Sequence, residues 1–174
     1  MALAVKRDAR MGVAEYRRWL EARPDEEPRE LLDGEPVPRS PPREGHQAIV
    51  ANLIRRIGDF ADGTGWRAMP GLGIPSAARD DVAPVREVVV PSGPPLPDAH
   101  AEDPRRVAEV LSPSTMSLDG GLKIDFYRAV PSLRVLPIIC SDEVWRRGAD
   151  DWTMHAPGLD GAVPVRDIYR GLAI

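Results

Sequence analysis

The most informative segment of the sequence is Glu109-Val110-Leu111-Ser112-Pro113-Ser114-Thr115, in which an acid stands on a short apolar strand just before a turn. We predict a strand over residues 105–111 and a helix over residues 117–130, which carries Lys123. A carboxylate at a strand end and a lysine on the next helix are residue types typical of metal and phosphate chemistry. Glu109 and Lys123 are therefore the first candidate site residues.

A second acid, Glu87, lies 22 positions before Glu109 in another predicted strand, residues 82–90. A carboxylate that is buried without a partner is strongly unfavourable, so both acids need one. If the strands are neighbours, the two carboxylates can converge on a divalent ion, and Mg²⁺ prefers such oxygen ligands. We then expect at least one raised pKa, with Lys123 orienting water or neutralising an oxyanion.

A simpler interpretation of the same residues stays open. Glu87 and Glu109 could occupy exposed strand positions, where neither needs a partner. Lys123 could pair with Asp119, four residues earlier on the predicted helix, for a few tenths of a kcal/mol.

The remaining segments predict one fold class. Apolar residues at helical spacing predict helices over residues 13–21, 46–61 and 117–130. Apolar runs predict strands over residues 66–74, 82–90, 105–111 and 133–140. Hairpins are predicted at both ends, one over residues 29–37 with its turn at Asp33-Gly34, the other joining residues 143–147 to 152–155. The predicted class is α/β (α+β mixed), a mixed β-sheet flanked by helices, with residues 1–28 as a lead-in and residues 29–174 as one domain.

Composition limits the possible partners and compartment. The 174 residues include 23 Lys and Arg against 27 Asp and Glu, a net charge of -4, so any nucleic-acid contact must be a local patch. The single cysteine, Cys140, excludes an internal disulfide and a multi-cysteine zinc site. No signal peptide and no apolar run long enough for a membrane span is present in the sequence. The prediction is a cytoplasmic protein without a membrane segment.

Several motifs together resemble one known family. They are Ser112-Pro113-Ser114-Thr115, Asp119, Lys123, Tyr127-Arg128, the hairpin that starts at Arg29-Glu30, His46-Gln47, and the closing tryptophans Trp145 and Trp152. The chain resembles the Uma-type family of bacterial putative restriction endonucleases, a branch of the PD-(D/E)XK nuclease superfamily. The resemblance implies a restriction-endonuclease-like core and Mg²⁺-dependent hydrolysis of DNA phosphodiester bonds, with Mn²⁺ as a possible substitute ion.

The resemblance also implies roles for individual residues. Glu87 and Glu109 would be the catalytic metal ligands, and Lys123 would act on the attacking water. Glu30 would extend the metal shell, although it could equally be a solvated hairpin carboxylate. His46 could touch a scissile phosphate or simply start its helix at the protein surface.

The chain departs from the family pattern at one important position. Arg86-Glu87 stands where the family has Pro-Asp, and the extra methylene of glutamate moves the carboxylate by roughly an ångström. A literal Pro97-Asp98 lies in a proline-rich loop, so Asp98 ranks below Glu87 as a candidate metal ligand. Val135 and Cys140 stand at two further positions where the family usually has acids.

These departures leave two other functions open. The first is a catalytically degenerate nuclease-fold protein that acts as a binding or regulatory module and could form a homodimer. The second is a metal-dependent hydrolase of a small phosphorylated molecule.

Overall fold

Helices and strands alternate along the chain, whose structure is a computed structural model. It describes residues 10–23, 27–61, 63–74, 79–93, 100–101, 104, 106–111, 126, 130, 133, 138–140, 153–155 and 162–172. The elements in chain order are α1 (Val13–Glu21), β1 (Arg29–Leu32), β2 (Glu35–Pro38), α2 (Glu44–Ala61), β3 (Met69–Gly73), β4 (Val85–Val90), β5 (Arg106–Leu111), β6 (Ile138–Cys140), β7 (Thr153–His155), β8 (Ala162–Pro164) and α3 (Val165–Ile168). Within these described ranges, no helix is long and apolar enough to cross a membrane.

The central sheet has four strands in the order β3-β4-β5-β6. β3 and β5 both pair with β4 in the antiparallel direction, whereas β5 and β6 are parallel. The predicted mixed sheet is confirmed, and the strands that carry Glu87 and Glu109 are neighbours in it. Both acids therefore start from adjacent backbones.

The longest helix, α2, packs on this sheet through one apolar stripe. Ile49, Leu53 and Ile57 follow each other at intervals of four residues, which places them on one side of a helix. They share a buried cluster with strand residues that include Val88 and Val110. Burying one such side chain is worth about 1.5–3 kcal/mol, so this stripe fixes where the first turn of α2 lies against the sheet.

A second buried cluster involves the intervening positions of the same strands. Val89 and Val107 pack there with Phe126 and Val130. Phe126 is helical, as the predicted helix over residues 117–130 requires. The rest of that predicted helix, with Lys123, lies outside the described residues.

The first hairpin, β1–β2, turns at Asp33 and Gly34, whose φ values are 51° and 76°. Two consecutive residues with positive φ are the requirement of a tight hairpin turn, and this confirms the prediction from Asp-Gly. The hairpin is fastened to the chain before β4, because the amide of Ala83 donates to the carbonyl of Leu31 at 2.9 Å. This contact brings β1 alongside the start of β4.

Helix α1 is stabilised at its start by a residue far away in sequence. The amide of Val13 donates to the carbonyl of Asp80 at 2.6 Å, and the Asp80 carboxylate lies 3.3 Å from the same nitrogen. A Cβ at Gly12, the N-cap residue, would lie 2.5 Å from Asp80 Oδ2, so a larger residue there would displace this carboxylate. Asp80 thus accepts from the first amide of a helix whose own N-cap residue has no side chain.

The C-terminal elements are held on α2 by polar contacts. Asn52 Nδ2 donates to the carbonyls of Ile168 at 2.9 Å and Arg170 at 3.0 Å. Arg56 forms an ion pair with Asp167 at 2.8 Å. The strand β7 lies within the predicted terminal hairpin, but its described partner is β8, which the sequence did not predict. The other predicted arm, residues 143–147, lies outside the described residues.

We expect Asn52→Ala to lower the free energy of unfolding by about 1 kcal/mol, because a part-buried carbonyl of Ile168 and an exposed carbonyl of Arg170 lose their donor. Urea unfolding followed by circular dichroism measures this. Gln47→Ala, at an exposed position of the same helix, is the matched control and should change stability by less than about 0.5 kcal/mol. Equal effects of the two substitutions would contradict a docking role for Asn52.

Candidate active site

Glu109 is buried and already bound to a cation. Its Oε1 accepts a hydrogen bond from Arg86 Nη1 at 2.8 Å, and the side chains of Arg86 and Glu109 are only 1% and 6% exposed. Arg86 comes from β4 and Glu109 from β5, so the pair joins the two central strands. The interpretation of Glu109 as an exposed strand residue is wrong.

Glu87 lies beside this pair at the point where the two strands stop pairing. The last pair of the ladder is Val88 with Ala108, so Glu87 and Glu109 are each the next residue beyond it. The Glu87 side chain is 17% exposed, and its Oε2 has no hydrogen-bond partner among the described residues. An exposed, solvated position is therefore wrong for Glu87 as well.

The electrostatics of Glu87 reflect its burial and its neighbours. Burial raises the pKa of Glu87, the negative charge of Glu109 raises it further, and Arg86 partly offsets both. The direction agrees with the raised pKa expected from two acids in one desolvated cleft. The two carboxylates are thus close enough to interact electrostatically.

His46, in the first turn of α2, borders Glu87. Its Nε2 lies 3.9 Å from Glu87 Oε1, which is too long for a hydrogen bond. Burial lowers the pKa of His46, and the positive charge of Arg39 lowers it further. The lowered pKa disfavours the charged imidazole, and the 3.9 Å separation makes this contact a close approach without a hydrogen bond. His46 is 17% exposed, and the idea that it only starts the helix at the surface is incomplete.

Glu30 is also buried, but it faces a different set of partners. It is 7% exposed, and its Oε2 lies 3.3 Å from the amide of Val85 at the start of β4. Burial raises the pKa of Tyr16 to about 12, and the negative charge of Glu30 adds to the increase. The solvated hairpin carboxylate is wrong, and Glu30 lies between β4 and α1.

Two residues near these acids had no sequence signal. Tyr16 is 1% exposed on α1, and its hydroxyl has no hydrogen-bond partner among the described residues. The charge of Arg39 lowers the pKa of both His46 and Glu87. Only the long-range packing of α1 and the first hairpin brings these residues close to the strand acids.

The candidate ligands fit a divalent ion only in part. In the described ranges, no three His, Cys, Asp or Glu side chains are grouped closely enough to hold a metal ion. Glu87 offers a buried oxygen, whereas Glu109 is bound to Arg86. Lys123 and the alternative acid Asp98 lie outside the described residues, as does Val135. The acids therefore form a pair, with Glu30 held apart by its own contacts.

Comparison with known proteins identifies the family. The sequence model of the Uma2 family, described as "Putative restriction endonuclease", matches residues 13–159. The chain belongs to the Uma2 family. No curated protein matches it. A crystal structure from Anabaena variabilis, described as a putative nuclease belonging to DUF820, superposes with a TM-score of 0.68 over 91% of this chain and 97% of that chain, at 13% identity.

These comparisons confirm the family and the fold class that the sequence predicts. At such low identity, the Anabaena structure shows a shared fold. Membership in Uma2 and the nuclease fold together support a nuclease-like function. The metal, the DNA substrate and the roles of individual side chains are matters for proposal.

We expect Glu87→Gln to change how stability depends on pH. A carboxyl whose pKa is raised in the folded state stabilises the protein most below its ordinary pKa, and that contribution is lost as the pH rises through the raised value. The variant should therefore be more stable than wild type at neutral pH and similar to it at acidic pH, below the ordinary glutamate pKa. Urea unfolding across this pH range measures the difference. A pH-independent difference would contradict the raised pKa of Glu87.

Proposed function

We propose that this Uma2 protein hydrolyses DNA phosphodiester bonds and needs a divalent ion, Mg²⁺ or in its place Mn²⁺. The observation that supports this most is the pair of acids at the end of the β4–β5 ladder of a nuclease fold, buried Glu109 and partly buried Glu87. A strand end with two converging carboxylates suits a hard cation with retained waters. The cytoplasmic location and the homodimer stay predictions.

The proposed roles divide the chemistry among the chain's own residues. Glu87 and Glu109 would hold the ion, which when bound stabilises charge that develops on the phosphate. Lys123 would supply a positive charge to the same phosphate oxygens. Glu30, fixed by the amide of Val85, would act as an outer residue that contributes negative charge. His46 lies next to Glu87, where its imidazole N–H could donate to a phosphate oxygen of the substrate.

A second candidate function is binding without cleavage. It is favoured by the ion pair between Arg86 and Glu109, because that contact occupies one of the two carboxylates. A protein that keeps this pair would retain the nuclease fold and bind a partner with no hydrolysis. The two candidates differ in one measurable property, which is turnover.

Nicking of a supercoiled plasmid in Mg²⁺, in Mn²⁺ and in EDTA tests the proposed hydrolysis. We expect cleavage that depends on the metal and falls by about a hundredfold or more in Glu109→Ala, whose carboxylate would hold the ion. Asp59→Ala, which removes an exposed carboxylate that pairs with Arg56 at 3.5 Å, is a control for the loss of one negative charge and should cleave like wild type. If wild type cleaves neither single- nor double-stranded DNA in Mg²⁺ or Mn²⁺, the proposed hydrolysis is contradicted. Binding without cleavage would then be the better candidate function.

We also expect Glu87→Asp to increase turnover, because it restores the shorter carboxylate of the family pattern and a site of this kind tolerates only about half an ångström of displacement. Lys123→Ala should lose turnover while the protein keeps most of its metal affinity, because a lysine on the phosphate acts when charge develops. Initial rates of plasmid nicking and calorimetric titration with Mn²⁺ measure the two properties. A large loss of metal affinity in Lys123→Ala would contradict the division of roles.

A further inference from the structure

We propose that Arg86 is an internal cation that competes with a divalent ion for the carboxylate of Glu109. This inference rests on the proposed function in one respect, since it takes Glu109 as a metal ligand. In the present arrangement, the contact with Arg86 opposes binding of a metal ion by Glu109. The binding of metal and the contact between Arg86 and Glu109 should exclude each other.

The contact itself is the first step of the argument. Arg86 Nη1 and Glu109 Oε1 are 2.8 Å apart, and both side chains are almost fully buried. A charge-assisted hydrogen bond of this length is among the strong ones in proteins. Because guanidinium stays protonated at any physiological pH, Arg86 keeps its positive charge and therefore keeps its need for a counter-ion.

Charge balance is the second step. A divalent ion on Glu109 would bring a second cation close to a buried guanidinium, and like charges repel strongly where water is excluded. If Arg86 left Glu109 instead, a buried contact of 2.8 Å between opposite charges would be broken, which is unfavourable where water is excluded. Either step opposes binding of the metal.

The second acid of the pair, Glu87, has a carboxylate oxygen that a divalent ion could bind. Glu87 Oε2 has no hydrogen-bond partner among the described residues, and His46 approaches only the other oxygen, at 3.9 Å. Glu87 therefore keeps one buried oxygen without a described partner at the end of the β4–β5 ladder. Removing the charge of Arg86 would take away the cation that contacts Glu109 Oε1, and a divalent ion would then meet less repulsion beside Glu109.

The test is metal affinity, measured without DNA. Arg86→Gln removes the charge, keeps a group that can donate to Glu109, and keeps the backbone of a position that pairs with Leu72 in the sheet. We expect Arg86→Gln to bind Mn²⁺ at least about tenfold more tightly than wild type in a calorimetric titration. The melting temperature of the variant should rise with added Mn²⁺ more than that of wild type does.

Two further variants separate this effect from a general change in charge. Arg79→Gln changes the net charge by the same amount and breaks two partly exposed ion pairs, with Asp81 at 2.8 Å and with Asp33 at 3.3 Å. It should leave the affinity for Mn²⁺ unchanged within about threefold. Adding Glu109→Gln to Arg86→Gln should abolish the gain.

The inference is overturned if folded Arg86→Gln binds Mn²⁺ no more tightly than wild type, or if Arg79→Gln shows the same gain. If Arg86→Gln does not fold, a wild-type crystal soaked in Mn²⁺ decides. An anomalous peak on Glu109 with Arg86 still in contact would contradict competition, whereas no peak there, or a peak with Arg86 displaced, would support it.

The outcome is independent of the proposed hydrolysis. A gain in metal affinity without any DNA cleavage would support competition and contradict the nuclease activity. Metal-dependent cleavage by wild type, with no gain in affinity for Arg86→Gln, would support the nuclease activity and contradict competition.

Discussion

The buried ion pair between Arg86 and Glu109 is the interaction on which the rest of the site depends. At an effective dielectric constant of about 20, two unit charges 4 Å apart attract by about 4 kcal/mol, and the desolvation of both groups offsets much of this. The net gain in stability is therefore modest, whereas the loss of one partner is severe. Such a pair holds β4 and β5 in one register, because moving either strand would separate two buried opposite charges.

The two apolar clusters on the central sheet explain why the ion pair of Arg86 and Glu109 is shielded from water. The stripe of α2 packs over Val88 and Val110, and the second cluster includes Val89 and Val107. These residues flank the charged positions on β4 and β5, so water is excluded from the strands up to the point where the ladder ends. The same packing sets the first turn of α2, and with it His46, beside Glu87. The electrostatics of the site thus follow from the core.

The elements with strong local signals could be predicted from the sequence. Helix α1 occupies Val13–Glu21 as predicted, and α2 begins two residues earlier than predicted, at Glu44. The Asp33-Gly34 turn followed from its need for positive φ. The adjacency of the two acidic strands also followed from element order. What failed were short segments without periodicity, such as β8 with its Pro164 and the four-residue α3, which tertiary contacts of Asn52 and Arg56 stabilise.

The partners of the buried charges could not be predicted, for a physical reason. A sequence shows that a strand acid needs a counter-ion, but many cations in the chain could supply it. In the sequence, Arg86 stands where the family pattern has proline. Nothing in the neighbouring residues indicates that its side chain reaches Glu109. The same holds for Asp80, which caps α1 from 67 residues away. Such contacts depend on the register between strands and loops that only the folded chain defines.

A double-mutant cycle on the free energy of unfolding tests the central claim most directly. Wild type, Arg86→Gln, Glu109→Gln and the double variant would be unfolded in urea at neutral pH. We expect each single substitution to destabilise the protein by about 3–5 kcal/mol, and the double variant to be more stable than the sum implies, by about 2 kcal/mol or more. A coupling energy within about 0.5 kcal/mol of zero would show that Arg86 and Glu109 act independently. It would contradict a buried ion pair that holds β4 and β5 together.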